Sequence, residues 1–411
     1  MIVGVPADVV EALYRVSTPK NLRVTWTFND GQALDVTDRL IRPLPQISRA
    51  LRLNLGGFSQ SRPSIALKNK DRFLSPRGPK SIVANKSDED INGSRVLIEQ
   101  GVFGQTSGFF YFPIYRGHVQ DIGMNSGVVE LQLGDSFSVH YQKTITEQHH
   151  LDPTKSFSEH IQDVLTIYGE VTSSDIDTTT FTFAQNVQDD LDWIAFGTLP
   201  ENMSVGDAVN GLARSGLGTV YANEDGTIVY HTEFPDISGN KKKQVFRFPE
   251  VLDKTKVRSF HVARSSSNYA SEVTIRYQGV KIKYRDPAIA DPIEAKVGPF
   301  PLNLDMPYLM FGRCARQAAR VIYGMNSRTL EVVTAVLGNL GLLIQLNDRV
   351  KIHDTENDIE DTYRVLMKGW SEESGVAIGA VREWHREDYL EETNFAELDV
   401  TSWTSTTARW W

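Results

Sequence analysis

Alternation constrains this chain more than any other feature. In Leu22-Arg23-Val24-Thr25-Trp26-Thr27-Phe28, the apolar Leu22, Val24, Trp26 and Phe28 share one face of an extended strand. Arg23, Thr25 and Thr27 share the other. Runs of the same kind recur as "RPSIALKN", "FFYFPIYRGHVQDI", "GVVELQLGDSFSV", "SEVTIRYQGVKIKY" and "DRVKIHD". They are rich in β-branched and aromatic residues and bounded by turn residues, so each predicts a short strand. "TVYANEDGTIVYHT" predicts a hairpin with Asn223-Glu224-Asp225-Gly226 at its tip.

Three segments carry a helical period instead. In "SFSEHIQDVLTIYG", Ser156 and Glu159 stand at the two ends of a capping box, and Gly169 marks the stop. "SVGDAVNGLARSG" repeats the plan with Ser204 and Asp207, and "MPYLMFGRCARQAARVIYG" predicts a helix from about Pro307 to Tyr323. The predicted order is a β-rich stretch, a mixed stretch with two helices, a basic loop-like segment and a second β-rich stretch. The two β-rich stretches share no repeat that aligns by eye. The fold class expected is α+β, mainly β.

With 411 residues and 40% hydrophobic content, about two to four domains with sizeable cores are expected. The net charge of −9 argues against general nucleic-acid binding, which needs clustered Lys and Arg. Residues 352–411 hold fourteen Asp and Glu against five Lys and Arg, so the excess acid sits at the C-terminal end. The single cysteine, Cys314, permits no intrachain disulfide and fits folding in a reducing compartment. The opening "MIVGVPADVVEALYRV" has no basic leader, and "TAVLGNLGLLI" is about half the length of a membrane span.

Candidate chemistry is sparse. No Gly-x-Ser-x-Gly elbow occurs, Cys314 falls in a helical pattern that buries it, and "GLARSGLGTV" follows a helix, the wrong order for a dinucleotide loop. His140, His149, His150, Asp152 and His160 match no zinc spacing and read as solvated histidines of a polar joint. Asp354, Glu356, Asp358 and Glu360 alternate, but lack the glycine of a calcium loop and read as a hairpin turn. Asp189, Asp190 and Asp192 beside Trp193 form the one candidate for glycan chemistry. Lys241–Lys243, Lys254, Lys256, Arg258 and Arg264, interleaved with Phe246 and Phe248, form the one basic patch. The expectation is therefore no catalytic, metal or cofactor site.

The stretch "SIALKNKDRFLSP" ends a strand in a turn that Asn69 and Asp71 can shape through their own backbone, with Phe73 folding back and Pro76 stopping the strand. It also resembles the "L-D-N-x-D-G-R-F-S-P" stretch of tail-tip and baseplate hub proteins of tailed bacteriophages. Leu67, Asn69, Asp71, Arg72, Phe73, Ser75 and Pro76 match, while Lys68 replaces an Asp and the Gly before Arg is missing. "TFNDGQALDVTDRLI", "FPIYRGHVQDI…GVVELQLGDSFS", "SVGDAVNGLARSGLGTVYANEDGTIVYH" and "IQLNDRVKIHD…DTYRVLMKGWS" are similar, in the same order, to later parts of that family, with Asn347 where Gly is usual.

The resemblance implies two tube-like β-barrel or sandwich domains with a mixed α/β domain between them. The implied boundaries are an N-terminal arm at 1–20, a first tube-like domain at 21–142 and a mixed domain at 143–245. A second tube-like domain with one helix follows at 246–390, then a C-terminal arm at 391–411. It implies a homotrimer whose paired domains make a pseudo-six-fold ring between a distal tail or tail tube protein above and a tip, fibre or central spike protein below. DNA or a tape-measure protein would pass through the lumen, and no membrane is part of the assembled particle. The virion tail tip is the implied location, after synthesis in the host cytoplasm. Trp403, Trp410 and Trp411 would anchor the C-terminal arm on a neighbour. The alternative is a tip-associated glycan-binding or glycan-cleaving adsorption protein.

Overall fold

The computed structural model describes residues 4–14, 21–51, 58–60, 62–75, 81–125, 127–135, 137–233, 251–252, 257–265, 269–327, 330–354 and 359–382. The strands up to residue 135 are β1 (Asn21–Thr27), β2 (Ala33–Asp35), β3 (Ile47–Leu51), β4 (Phe58–Gln60), β5 (Ser64–Lys68), β6 (Arg95–Gly104), β7 (Gly108–Asn125) and β8 (Val128–Asp135). Six of them form one sheet in the order β2-β1-β6-β7-β8-β5. The alternation in β1 does what its pattern requires, burying Leu22, Val24 and Trp26 and leaving Arg23, Thr25 and Thr27 half-buried.

β3 and β4 leave this sheet and join a second one. A middle body intervenes in the chain. Its strands are β9 (His149–His150), which pairs β10 (Thr198–Leu199), and the hairpin β11 (Gly218–Ala222) with β12 (Ile228–Thr232). Then come β13 (Val251–Leu252) and β14 (Ser259–Ser265), followed by β15 (Glu272–Tyr277), β16 (Val280–Tyr284) and β17 (Pro301–Asp305), which make a small sheet of their own. β18 (Leu330–Gly338), β19 (Arg349–Asp354), β20 (Ile359–Ser371) and β21 (Gly375–Arg382) complete the second large sheet, ordered β13-β19-β20-β21-β18-β14 with β3 on β20. The class is α+β and mainly β.

Helix α1 (Ala7–Leu13) lies within the segment assigned from sequence to an arm. It packs Val9, Ala12 and Leu13 on Val102 and Phe112 of its own β6–β7 hairpin, and Asp8 accepts from the backbone of Thr106 and Ser107 at 2.8 Å. The Ser107 hydroxyl, donating to Asp8 Oδ1 at 2.7 Å, and then those backbone bonds hold the half-buried Asp8 carboxyl down at about 2. Two short turns, α2 (Asp88–Ile91) and α3 (Ser138–Tyr141), flank the first sheet. α4 (Phe157–Asp163) starts on the expected capping box, with Ser156 N–H donating to Glu159 Oε2 at 2.8 Å. α5 (Thr178–Asp190) is not expected from the sequence, because Thr-Phe-Thr-Phe looks like a strand; Asp177 caps it and turns those residues onto a helix. α6 (Val205–Ser215) begins at Ser204 as expected.

The remaining longer helices are α7 (Pro287–Val297) and α8 (Gly312–Asn326). α8 starts later than Pro307 because Tyr308 and Leu309 turn back to bond Phe196 and bridge Ala195. Residues 269–327 lie inside the segment assigned from sequence to the second tube-like domain. Their apolar faces nonetheless close on the middle body: Val273, Ile275, Cys314, Ala318 and Ile322 share one core with Phe157, Ile161, Leu212 and Tyr230. The two large sheets share a second core, in which Trp26, Ile98, Ile114 and Leu131 are continuous with Val350, Tyr363, Trp370 and Ile378.

The two large sheets repeat one another. Each contains a strand followed by a three-stranded meander, with the first strand added beyond the third: β5-β8-β7-β6 and β18-β21-β20-β19, antiparallel throughout. The middle strand carries a bulge at the same place, between Val119 and Asp121 in β7 and between Val365 and Met367 in β20. With Val119 laid on Val365, the ladders coincide. Arg95 faces His118 as Arg349 faces Arg364, Gly117 faces Asp135 as Tyr363 faces Arg382, and Ile65 faces Leu131 as Ala335 faces Ile378. Arg95-Val96-Leu97-Ile98 thereby falls on Arg349-Val350-Lys351-Ile352, and Gly123 on Gly369.

Candidate functional site

The turn after β5 is built as its side chains demand. Asn69 Oδ1 accepts from Leu74 N–H at 2.8 Å and its amide donates to Ser75 Oγ at 3.0 Å. Asp71 accepts from Phe73 N–H at 3.3 Å and takes a bidentate pair from Arg39 at 2.7 and 2.9 Å, which holds its carboxyl down at about 2. Arg39 also stacks 4.4 Å over the Phe73 ring. The residue that takes the left-handed conformation is Arg72, with φ of 59°, next to the place where the related stretch has its glycine. Arg72→Gly is therefore expected to raise stability by up to about 1 kcal/mol, read as an upward shift of the urea midpoint. Asn347, standing where glycine is usual, is left-handed in the same way with φ of 69°, a conformation that Asn tolerates. Pro76 lies outside the described residues.

The two sheets and the middle body meet at one seam. Trp370 Nε1 donates to Gln100 Oε1 at 2.6 Å, and Gln100 Nε2 donates to Asn339 Oδ1 at 2.7 Å, all buried. The tip of the β11–β12 hairpin inserts Glu224 between Arg49 of β3 and Lys368 of β20, each 3.2 Å from Glu224 Oε1. All three side chains are buried. Burial pushes the Glu224 carboxyl up, but Lys368 and Arg49 together outweigh it and hold the group below its ordinary range. Nearby, Arg364 clasps Glu233 bidentately at 2.6 and 2.7 Å. This is a positioning device: it fixes one hairpin of the middle body on two strands that come from opposite ends of the chain.

A second polar cluster joins the first sheet to the middle body. Asp175 lies 3.4 Å from Arg95 and 3.3 Å from Arg116, and Arg116 also donates to Asp225 O at 2.9 Å. Beside them His118 and His140 sit edge to face at 6.0 Å. His118 Nδ1–H donates to Gly93 O and His140 Nδ1–H to Gly169 O, both at 2.7 Å.

The candidates for chemistry separate. Trp193 is buried with Nε1 donating to Ser215 O at 2.8 Å, so the indole beside Asp189 and Asp190 offers no face to a sugar; Asp192 pairs with Arg313 at 3.1 Å. Of the histidines read as solvated, His150 is exposed, His140 and His149 are half-buried, and only His160 departs fully from that reading. His160 is buried and bonds Asp152 O at 3.0 Å, His149 lies 3.2 Å from Tyr168 Oη and His150 lies 3.1 Å from Thr198 Oγ1. Among the described residues no group of three or more His, Cys, Asp or Glu could hold a metal. Asp354 is buried and Glu360 pairs with Lys351 at 3.1 Å, while Glu356 and Asp358 lie outside the described residues. Cys314 is buried and its thiol pushed up to about 11 by burial, which leaves it inert. Lys241–Lys243, Phe246, Phe248, Lys254, Lys256, Trp403, Trp410 and Trp411 also lie outside the described residues. Among those described, no helix is long and apolar enough to cross a membrane.

In overall fold the chain is similar to proteins of phage tails. The 43 kDa tail protein of prophage MuSo2 from Shewanella oneidensis shares 12% identity over 88% of this chain and 98% of its own, with a TM-score of 0.48. A tail protein from Neisseria meningitidis MC58 shares 13% over 88% of this chain and 96% of its own, also at 0.48. Prophage tail protein gp18 of Listeria monocytogenes shares 10% over 90% and 98%, at 0.44. No protein-family model and no curated protein matches the sequence.

Proposed function

We propose that this chain is a structural hub protein of a phage tail tip or baseplate, with no turnover of its own. The observation that carries the reading is the pair of sheets repeated in register within one polypeptide. Three such chains contribute six like sheets, which lets a three-fold oligomer meet a six-fold tube above and a three-fold tip, fibre or spike below. The series of tail-hub motifs, in order from Thr27 to Ser371, supports the same reading. The channel enclosed would pass DNA or a tape-measure protein, and the protein would reside in the virion after synthesis in the host cytoplasm. The C-terminal tryptophans Trp403, Trp410 and Trp411 belong to this proposal as an anchor on a neighbouring protein. The glycan-processing alternative loses the stacking platform read for it from the sequence with the burial of Trp193. Native mass measurement and imaging of the purified chain test the hub: a three-chain ring with a central opening is expected. A monomer at every concentration would sink it.

A further inference from the structure

The two sheets agree in register but differ at their edges, and the difference has a direction. On the second sheet the outer edge of β20 is filled by β3, with Met367 facing Ala50 and Trp370 facing Ile47. The register places Asp121–Met124 of β7 at the same position in the first sheet. There the outer edge carries no strand among the described residues. The Ile122 N–H points away from β8 and is met by its own neighbour's carboxylate, Asp121 Oδ1, at 2.8 Å. Alternation along the strand turns the Met124 N–H the same way, and the Met124 side chain is 45% exposed.

The opposite edges complete the pattern. The outer edge of β5 is held by the segment that leads into β3: Ile41 N–H donates to Ala66 O at 2.9 Å, and Leu40 bridges Leu67. One stretch, 40–51, thus runs from the β5 edge of the first sheet into the β20 slot of the second. The matching edge of the second sheet, that of β18, carries β14. β14 ends the sheet among the described residues, with Ser259, His261, Ala263 and Arg264 exposed and Phe260 and Val262 half-buried. Among the described residues each chain therefore holds one junction made and the two halves of another unmade.

We propose that β14 of one copy adds to the Asp121–Met124 edge of β7 in the next copy, head to tail. The occupant is a second copy because this chain already supplies the strand for one of two like slots, and β14 is an edge strand that no other described strand covers, the natural template for such pairing. A heterologous contact of this kind closes into a ring when its rotation permits. Asp121 acts as a guard, masking the Ile122 N–H in the separated chain and swinging aside on pairing. The inference rests on the hub reading and specifies its interface.

Two variants and one direct measurement test it. Met124→Pro removes an outward N–H without touching the β8 ladder, and Val262→Pro breaks β14. Each variant alone should be monomeric, and a one-to-one mixture should give a dimer, since each brings the half-junction that the other lacks. In wild type, residue-resolved hydrogen exchange at Ile122 and Met124 should slow by at least about tenfold as concentration drives assembly. An oligomer of unchanged mass from Met124→Pro overturns the edge pairing and leaves the hub standing. A wild type that stays monomeric overturns both. Slow exchange at Ile122 and Met124 in dilute monomer means that the chain fills its own slot, which also overturns the pairing. The exchange series needs no variant, so the pairing stays testable even where a substitution misfolds.

Discussion

Replacing Glu224 with alanine is expected to destabilise the chain by about 3–5 kcal/mol, because Arg49 and Lys368 are then left buried without their counter-charge. The size follows from burial. At the surface such contacts would contribute about 1 kcal/mol or less, but here all three groups are out of water. The penalty therefore belongs to the stranded cations more than to the lost attraction. The triple replacement Arg49→Met, Glu224→Leu, Lys368→Met separates the two ideas: it removes every charge and fills similar volume, so most of the loss should return. Urea unfolding of the single and triple variants measures this. A single variant within about 0.5 kcal/mol of wild type would show that the hairpin tip is not held as described.

Acidification is expected to act at the other junction. Burial, the larger influence, pulls the His118 ring down to about 4 despite its bond to Gly93 O, and the nearby His140, Arg95 and Arg116 push the same way. Burial lowers His140 as well. A folded-state value below the ordinary 6.5 means that the unfolded chain binds more protons between those limits. Stability is thus full above about pH 6.5 and falls as the pH drops toward 4, with His118 alone accounting for about 3 kcal/mol at the lower end. Asp175 is the carboxylate that pairs with Arg95 and Arg116 and acts on His140 beside them. His118→Asn keeps a donor near Gly93 O and removes the titration. Its unfolding midpoint should change less with pH than that of wild type across this window, and equal slopes would count against the assignment.

Strands and capped helices were legible in the sequence because their causes are local. Alternation in β1, the box at Ser156 and Glu159, and the tip at Asn223–Gly226 each need only a few neighbouring residues. α5 was not legible, since its Thr-Phe-Thr-Phe start favours extended chain and only the Asp177 cap and the Phe181 pocket in the middle body decide for helix. The repeat between the sheets was hidden for a different reason. A bulge and a ladder register leave little trace in residue identity, and Arg-Val-Leu-Ile against Arg-Val-Lys-Ile was its one readable sign. The seam was invisible altogether: Arg49, Glu224 and Lys368 come together only once three distant segments have folded. The turn at Asn69–Ser75, by contrast, needed no distant partner other than Arg39.

The β6–β7 hairpin has a consequence for how an assembled particle would be read by its neighbours. Its ladder continues to Gly104 facing Gly108, braced by α1, whereas the matching ladder of β19 and β20 ends at Asp354 facing Ile359. In the three-chain ring proposed above, this difference among the described strands would set three tall prongs between three shorter hairpins. A tube subunit gripping the even side would feel hexagonal order, while anything seated among the prongs would have three equivalent ways to sit instead of six.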